Sequence, residues 1–405
     1  MAATDAPSIS VIVASHQRPM WLRRCLTALT QLDYPNFEII IAADASGLQA
    51  IGEHRALSLV KIIEANEANI ARTRNLGLAQ AAGDIVAFID DDAVPEPLWL
   101  RFHTQSLAAT GASASVGYVR GRNGISFQSR AESVDAHAQT HIEQSPDMTP
   151  FIPEISTGRA VKLVGTNFAI RRAALCDIGG FDEAFRYYLD DTDVSLRLAV
   201  AGHKSAVAPL AEVHHATAPS ARRTPARRPR DLFDMGRSTA LFLRKHGRAT
   251  DQAFQWLQAR ERRRLLRHMV AGTCEPRDIS RLSQTLKAGW NAGNVEDLTP
   301  FRPFDAQPEG FLRFPATPPG HCVIAERFLG KRAKMPADQR TSVFRFSRTT
   351  LRHHVTFVEP GVWVQTGGQF GPSLRDGSAF RWCRFAERVE EETGRVALQR
   401  GIGEN

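Results

Sequence analysis

The stretch Asp84-Ile-Val-Ala-Phe-Ile-Asp-Asp-Asp92 decides the fold class of this 405-residue chain. Five apolar residues form a run of strand length, and three consecutive aspartates follow it directly. A short apolar run bounded by polar residues is typical of a strand buried in a parallel sheet. Adjacent carboxylates repel one another unless a cation lies between them. The stretch therefore predicts a buried strand ending at a divalent-cation site, with a solvated acidic turn before Pro95 as the alternative.

Similar apolar runs alternate with helical patterns on the N-terminal side of this stretch. The predicted strands and helices are 9–13, 19–31, 37–43, 59–63 and 68–82. Strands that alternate with helices of about 10–15 residues predict an α/β domain with a mostly parallel sheet. Ligands bind beyond the carboxyl ends of the strands in such sheets. Ser15, Asp44 and the triplet 90–92 follow predicted strands, so we expect them at one edge of the sheet.

A second acidic cluster, Asp190-Asp191-Thr192-Asp193, opens a periodic segment that is predicted to be helical. One aspartate is enough to cap a helix and to stabilise its first turn. Three aspartates after Tyr187-Tyr188-Leu189 indicate that a carboxylate faces a cleft, where it is suited to act as a general base. Taken alone, this cluster fits capping and catalysis equally well.

The charge distribution separates the two halves of the chain. Residues 1–218 contain 18 Lys and Arg against 24 Asp and Glu, whereas the remainder contains 33 against 19. The segment 220–230 has five arginines and two prolines, which is typical of a loop, and 231–270 is helical by pattern and basic. Short alternating runs rich in Gly, Phe and Trp follow from about residue 300. We predict a domain over 1–218, a basic loop and helical segment over 219–298, and a small β-rich module over 299–405.

Composition excludes several classes of protein. Hydrophobic residues make up 43% and charged residues 23%, which is a globular balance. We expect no membrane-spanning helix and no signal peptide, because no apolar run is long enough and the N-terminus lacks a basic start. The five cysteines are scattered and never form a CxxC pair, so we expect no zinc site, no disulfide framework and a reducing cytoplasmic location. No nucleic-acid-binding motif is present, and we expect no nucleic-acid partner.

The chain from about residue 8 to 215 resembles the family 2 inverting glycosyltransferases, which have the GT-A fold. The matching motifs occur in the order of that family and cover about half the chain. They are residues 8–19, 39–46, 71–77, 88–92, 165–172, 179–183 and 189–198. The resemblance implies a nucleotide-sugar-binding GT-A domain.

The resemblance also implies a donor site. Asp44 corresponds to the aspartate that contacts the nucleotide base, and Ser15 and Arg18 match the loop that holds the nucleoside. The residues expected to bind the nucleotide sugar are Ser15, Arg18, Asp44, Arg74, Asn75, Asp90 and Asp91. Arg72 is the alternative to Arg74, and a surface salt bridge is the structural alternative for each. The usual acidic neighbour of Asp44 is replaced by Ala43, which leaves the choice of base open. A UDP-sugar is the expected donor, with dTDP- or GDP-sugars as alternatives.

The acidic clusters then receive distinct implied roles. Asp90 and Asp92 correspond to the metal-binding DxD motif, with His214 as third ligand, His215 as its alternative and Mn²⁺ or Mg²⁺ as the ion. Asp191 matches the catalytic base. The expected acceptor-side residues are Gly165, Thr166, Asn167 and Asp190, with close backbone packing as the alternative reason for the glycine.

The implied function is inverting transfer of a sugar to a hydroxyl of a glycan or glycolipid, in bacterial surface polysaccharide or glycoconjugate synthesis. We expect a cytoplasmic protein whose basic segment 220–270 either contacts the inner face of the plasma membrane or is simply solvated. A nucleotidyltransferase is disfavoured because its Gly-rich phosphate-binding loop is missing. A non-catalytic carbohydrate-binding or scaffold protein is the alternative function, and it is disfavoured because both acidic clusters are intact. For the C-terminal module, Trp363, Gln365 and Trp382 indicate carbohydrate binding, a dimer contact or a packed β core.

Overall fold

The computed structural model describes residues 6–298, 300, 302–315, 320–328, 330, 336 and 339–403. The strands in this part of the chain are β1 Ile9–Ser15, β2 Phe37–Ala43, β3 Lys61–Glu64, β4 Ile85–Asp90, β5 Ala93–Pro95, β6 Ala114–Arg120, β7 Phe127–Ser129, β8 Glu132–Asp135, β9 Thr140–Ile142, β10 Arg159–Val161, β11 Asn167–Arg171, β12 Ser205–His215, β13 His321–Arg327, β14 Arg340–Ser347, β15 His354–Val358 and β16 Val362–Gly368. The helices are α1 Pro19–Leu29, α2 Ala45–Ile51, α3 Ile70–Ala79, α4 Trp99–Thr110, α5 Arg172–Asp177, α6 Asp190–Val200, α7 Phe233–His246, α8 Asp251–Val270, α9 Pro276–Val295 and α10 Phe385–Arg400.

The N-terminal domain is built on one large sheet, with strand order β3-β2-β1-β4-β11-β6-β12-β5 and β7 paired to β6. Strands β3, β2, β1 and β4 are parallel to one another, as are β6 and β12, whereas β11 runs antiparallel to both β4 and β6, and β5 runs antiparallel to β12. The predicted α/β fold with a large, mostly parallel sheet is confirmed. Because β11 runs the other way, its first residue lies at the same edge as the last residues of β1, β4 and β12.

Helices cover both faces of this sheet because the side chains of each strand alternate between two cores. Val11 and Val13 pack in the core formed with α1, α2 and α4, while Ile12 packs in the core formed with α3, α5 and α6. Strands buried on both faces explain the continuous apolar runs of the sequence.

The polar segment from about residue 120 to 160 contains four short strands, β7 to β10. Strands β8, β9 and β10 form a separate three-stranded antiparallel sheet, and β7 extends the large one. Each has only three or four residues, which is too short for alternation to be distinguished from irregular polar sequence.

The basic helical segment packs against the loop that precedes α6. Phe242 of α7 is buried with Phe185 and Leu189 of that loop. Asp193, in the first turn of α6, accepts ion pairs from Lys245 and His246 at 2.8 Å. Helix α7 therefore fixes the end of α6 that carries the second acidic cluster.

The C-terminal module is a four-stranded sheet of order β13-β14-β16-β15 with α10 beside it, which confirms the predicted small β module. It joins the N-terminal domain through a buried ion pair, because Arg400 of α10 donates to Glu96 at 2.9 and 3.0 Å. Trp363 lies in this interface rather than at a surface, and its ring is 4.7 Å from the ring of His214.

Candidate active site

The strand ends meet at a single cavity of about 680 Å³. Its walls include Ser15 after β1, Asp90 at the end of β4, Gly165 before β11 and His215 at the end of β12. Asp190 and Asp191, at the start of α6, line the same cavity. The two acidic clusters, about 100 residues apart in sequence, therefore share one pocket.

Asp90, Asp92 and His215 form a cluster with the donor atoms of a metal site. One ligand atom of each lies within 4.8 Å of the others. Nε2 of His215 is 3.1 Å from Oδ1 of Asp92, and its Nδ1 is 3.1 Å from Oε1 of Gln128, which orients the ring. Oδ1 of Asp92 is buried and accepts no hydrogen bond of normal geometry from the described residues. Two carboxylates and an imidazole thus fit a divalent cation, and the imidazole favours Mn²⁺ over Mg²⁺.

His214, predicted as the third metal ligand, does not join this cluster. Its Nε2 lies 2.8 Å from Oε1 of Glu96, and its ring packs against Trp363. Successive side chains of a strand point to opposite faces, so only one of two adjacent histidines faces the cavity. The structure corrects the candidate ligand to His215.

Asp91 lies between the loop after β1 and the metal cluster. It accepts hydrogen bonds from Ser15 Oγ at 2.7 Å and from Arg18 Nη1 at 2.8 Å, and Arg18 is also 3.2 Å from Asp92. Burial raises the pKa of Asp91 to about 7 even though Arg18 opposes the shift, and Asp92 raises it further. The predicted donor residues Ser15, Arg18 and Asp91 are therefore brought together at one end of the cavity.

Arg74 connects the two acidic clusters. Its buried guanidinium donates to Asp90 at 3.0 Å, to Asp190 and to the carbonyl oxygen of Gly165 at 2.9 Å. Burial alone would lower the pKa of Arg74, but Asp190 and Asp90 outweigh burial and raise it. Arg74 lines the cavity, and the hydrogen bonds of its guanidinium to Asp90, Asp190 and Gly165 hold the cavity wall together. A Cβ on Gly165 would lie 2.6 Å from this guanidinium, so the glycine is required for close packing.

Asp191 is half-buried, lines the cavity and is held in a fixed orientation. Its Oδ2 accepts from the backbone N–H of Gly165 at 2.7 Å, and its Oδ1 accepts from the backbone N–H of Thr192 at 2.7 Å. The two residues before α6, Tyr188 and Leu189, have φ of 78° and 69°. Such left-handed conformations cost non-glycine residues about 1–2 kcal/mol each, and they cluster at functional sites.

Two predicted amides have structural roles instead. Asn75 donates to the carbonyl of Phe181 at 2.8 Å and accepts from its N–H, away from the cavity lining. Asn167 is fully buried, accepts from Trp99 Nε1 at 2.7 Å and donates to two backbone carbonyls. The predictions of Asn75 as a nucleotide ligand and Asn167 as an acceptor-side residue are corrected, because the hydrogen-bonding groups of these amides are engaged within the protein.

The remaining predicted residues lie at or beside the cavity. Thr166 donates to Asp90 at 2.6 Å and lines the wall. Asp44 lies behind the lining, where it accepts from the N–H of Gln17 at 2.9 Å and from Ser46 Oγ at 2.6 Å. Gln17 itself lines the cavity, so Asp44 positions the loop after β1.

Sequence reasoning did not identify which residues of the basic segment line the cavity. Arg222 and Arg223 after β12, together with Trp256 and Arg260 of α8, form part of its wall. Arg223 lies 3.4 Å from Asp92, and Arg260 donates to the hydroxyl of Tyr188 at 3.2 Å. The arginine-rich composition is the signal that could have found them, but which arginines face the cavity depends on how α8 packs.

A mixed α/β sheet with acids from two segments at its carboxyl edge has the architecture of a GT-A-type domain. Residues 10–179 match the model of glycosyl transferase family 2, and the N-terminal domain of this chain belongs to that family.

The curated relatives include glycosyltransferase AglE of Haloferax volcanii, 27% identical over 43% of this chain and 56% of the relative. N-acetylglucosaminyl-diphospho-decaprenol L-rhamnosyltransferase of Mycobacterium tuberculosis is 41% identical over 20% of this chain and 25% of that protein. The chain thus spans about half the length of the first relative and a quarter of the second. The crystal structure of GalNAc-T7 with UDP, GalNAc and Mn²⁺ aligns with 52% of this chain and 44% of its own at 16% identity, with a TM-score of 0.43.

Among the described residues, every helix is too short or too polar to cross a lipid bilayer.

Proposed function

We propose that this protein transfers a sugar from a nucleoside diphosphate donor to a hydroxyl group of a glycan or glycolipid, with inversion at the anomeric carbon. The observation that carries the proposal is the shared cavity. Asp191 lines one part of it, the Asp90, Asp92 and His215 cluster lies at another, and Arg74 joins the two clusters. An inverting displacement needs a base on one side of the donor sugar and charge stabilisation on the other.

The donor end is the loop after β1 together with the end of β4. Asp90, Asp92 and His215 would hold a divalent ion, preferably Mn²⁺, which when bound stabilises the negative charge of the leaving diphosphate. Arg18 and Arg223 are the cationic side chains nearest to Asp92, at 3.2 and 3.4 Å, and their guanidinium groups suit phosphate oxygens. We place the nucleoside at Ser15 to Gln17, and a UDP-sugar is the preferred donor, with dTDP- and GDP-sugars as the alternatives.

Asp191 is the proposed base. The N–H groups of Gly165 and Thr192 orient its carboxylate, which would accept the proton of the acceptor hydroxyl as that oxygen attacks the anomeric carbon. The bond between the anomeric carbon and the diphosphate oxygen breaks in the same step, and the nucleoside diphosphate leaves. Holding both substrates in this alignment supplies a large part of the rate gain.

The acceptor would enter beside the basic wall. Trp256 offers an apolar face to a sugar ring, and Arg222 and Arg260 offer positive charge to a diphosphate. The name of the mycobacterial relative specifies a diphospho-lipid acceptor, which supports a lipid-linked glycan here. Synthesis of a bacterial surface glycan at the cytoplasmic face of the membrane suits such an acceptor, and the exposed residues Arg262, Arg263 and Arg267 of α8 are the proposed membrane contact.

The test is a panel of UDP-, dTDP- and GDP-sugars with and without Mn²⁺, read by thermal stabilisation and by donor hydrolysis. We expect one nucleotide class to raise Tm only with the metal, and its sugar to be released slowly. His215→Ala should abolish the metal-dependent rise, whereas Arg262→Gln, an exposed change on α8, should keep it. Failure of every donor to bind or hydrolyse with either Mn²⁺ or Mg²⁺ would overturn the proposal and favour a non-catalytic protein.

A further inference from the structure

The C-terminal module has a cavity of its own, which shares no lining residue with the catalytic one. It lies where the parallel strands β13, β14 and β16 end and where α10 begins, and it has a volume of about 490 Å³. Its walls include Arg327, Arg348, Gln369, Phe370, Trp382 and Arg384. Nothing in the transfer reaction proposed above uses these residues.

An exposed aromatic platform forms one side of this cavity. The ring of Trp382 stacks on that of Phe370 with centroids 5.1 Å apart and planes within 7° of parallel. Trp382 is nevertheless 76% exposed, and the neighbouring Phe380 is 57% exposed. A large aromatic side chain held in a fixed stack but left in water is typical of a binding surface. Its flat apolar face suits the C–H face of a pyranose ring.

Positive charge surrounds the platform. Arg327, Arg348 and Arg384 line the cavity, and no carboxylate lines it within the described residues. Arg327 stacks on the ring of Phe385 at 4.5 Å, which holds its guanidinium at the wall. The first turn of the 16-residue helix α10 lies at the same place and contains Glu387, which is 4.0 Å from Arg384, so the uncompensated positive charge of the described lining residues is that of Arg327 and Arg348. The surroundings therefore favour an anionic ligand.

A buried acceptor without a partner points to the rest of the ligand. Gln369 lines the cavity and is 7% exposed, and its Nε2 donates to the carbonyl oxygen of Cys383 at 2.7 Å. This bond fixes the orientation of the amide and leaves Oε1 without a hydrogen-bond partner among the described residues. A buried acceptor left unpaired costs about 1–3 kcal/mol, and a hydroxyl group of a ligand that displaces the side chains covering Oε1 would satisfy it.

We propose that this cavity binds an acidic saccharide chain, whose sugar ring stacks on Trp382, whose hydroxyl groups reach Gln369 and whose carboxylate or phosphate groups pair with Arg327, Arg348 and Arg384. The three features together select this class. A neutral glycan offers no anionic group to Arg327 and Arg348, and a simple anion leaves the aromatic platform and the amide unused. The inference does not depend on sugar transfer in the other cavity.

The test measures binding of the full chain to polygalacturonate and to poly(glycerol phosphate) bearing sugars, by isothermal titration calorimetry at low salt. Neutral dextran is the control for sugar without charge, and polyglutamate is the control for charge without sugar. We expect binding of at least one acidic saccharide and weak or no binding of the two controls. Trp382→Ala should lower the affinity for the acidic saccharide about tenfold, which is the loss expected for one aromatic stacking contact.

Matched variants separate a specific site from general attraction to a basic protein. Arg348→Gln should weaken binding, whereas Arg55→Gln, at an exposed arginine of the N-terminal domain, should not. Asp191→Asn should bind the saccharide like the wild type, so failure of the transfer proposal leaves this one intact. Equal binding of polyglutamate, no effect of Trp382→Ala and Arg348→Gln, or binding of neither saccharide would overturn the proposal. Phosphatidylglycerol vesicle binding that Trp382→Ala and Arg348→Gln weaken, with no binding of either saccharide, would assign the surface to lipid instead.

Discussion

Removal of the guanidinium that joins the two acidic clusters should destabilise the protein strongly. Arg74→Met keeps most of the length and apolar volume of the side chain but removes its charge and its donors. Asp190 then remains buried at 6% exposure without its cation, and Asp90 and the carbonyl oxygen of Gly165 each lose a donor. We therefore expect the wall between the two clusters to loosen.

The magnitude follows from the burial of the pair. Breaking a buried ion pair by removing one partner costs about 3–5 kcal/mol, because a charge is left uncompensated in a medium of low polarity. An exposed ion pair contributes about 0–1 kcal/mol. Arg72 provides the matched control, since it lies two residues away on α3, is about half exposed and pairs with Glu67 at 3.4 Å. Arg72→Met should therefore change the free energy of unfolding by less than about 1 kcal/mol.

Urea denaturation of the two variants at pH 7.5 measures this difference directly. A double variant, Arg74→Met with Asp190→Leu, should recover part of the loss, because it removes the unpaired carboxylate as well. Equal destabilisation by Arg74→Met and Arg72→Met, or no recovery in the double variant, would refute the assignment of Arg74 as the link between the clusters.

Two further predictions concern buried groups away from the cavity. Burial lowers the pKa of His103 to about 4, below its value of about 6.5 in an unfolded chain, so the unfolded state binds the proton more tightly. Its contribution to stability is complete above pH 6.5 and is lost as pH falls towards 4, and the loss amounts to about 2 kcal/mol at pH 5. Urea titrations at pH 7.5 and pH 5 give the difference in free energy of unfolding between the two pH values, which should be smaller in His103→Gln than in the wild type. An equal difference in the two proteins would contradict the assignment. Arg400→Met should destabilise the protein by about 3–5 kcal/mol, because Glu96 is left buried without its cation. Arg384→Met, at an exposed residue next to the same helix, should cost less than about 1 kcal/mol. Equal losses of stability in calorimetry would show that the buried pair does not hold the C-terminal module in place.

Local patterns were enough to predict the strands and the acids at their ends. The central strands β1, β2 and β4 are buried on both faces, so each appears as an apolar run, and the acids at the ends of β2 and β4 mark the carboxyl edge. Asp90, Asp92 and Asp191 are therefore visible in the sequence. The sequence does not show whether His214 or His215 faces the cavity. The pairing of β12 shifts register between Ala208 and Val213, so the alternation of side chains cannot be counted along the strand.

The errors share a physical cause. Asn75 and Asn167 have the residue type of a ligand, but a buried amide whose hydrogen bonds are satisfied within the protein has the same sequence signature. Arg74 differs from Arg72 only in which face of α3 it occupies, and the carboxylate from α6 that pairs with it is 116 residues away. Likewise, the position of Trp256 and Arg260 at the cavity depends on the packing of α8, which no local pattern encodes.

The central claim is that the two acidic clusters act on one donor sugar in separate roles. Donor affinity and turnover, measured on the same preparations of Asp191→Asn and Asp92→Asn, test it most directly. Loss of the base should leave Mn²⁺-dependent binding of the nucleotide sugar close to wild type while kcat falls by about 10²–10⁴, and loss of Asp92 should abolish the metal-dependent part of binding. Turnover by Asp191→Asn within tenfold of wild type, or unchanged metal-dependent binding by Asp92→Asn, would contradict the account.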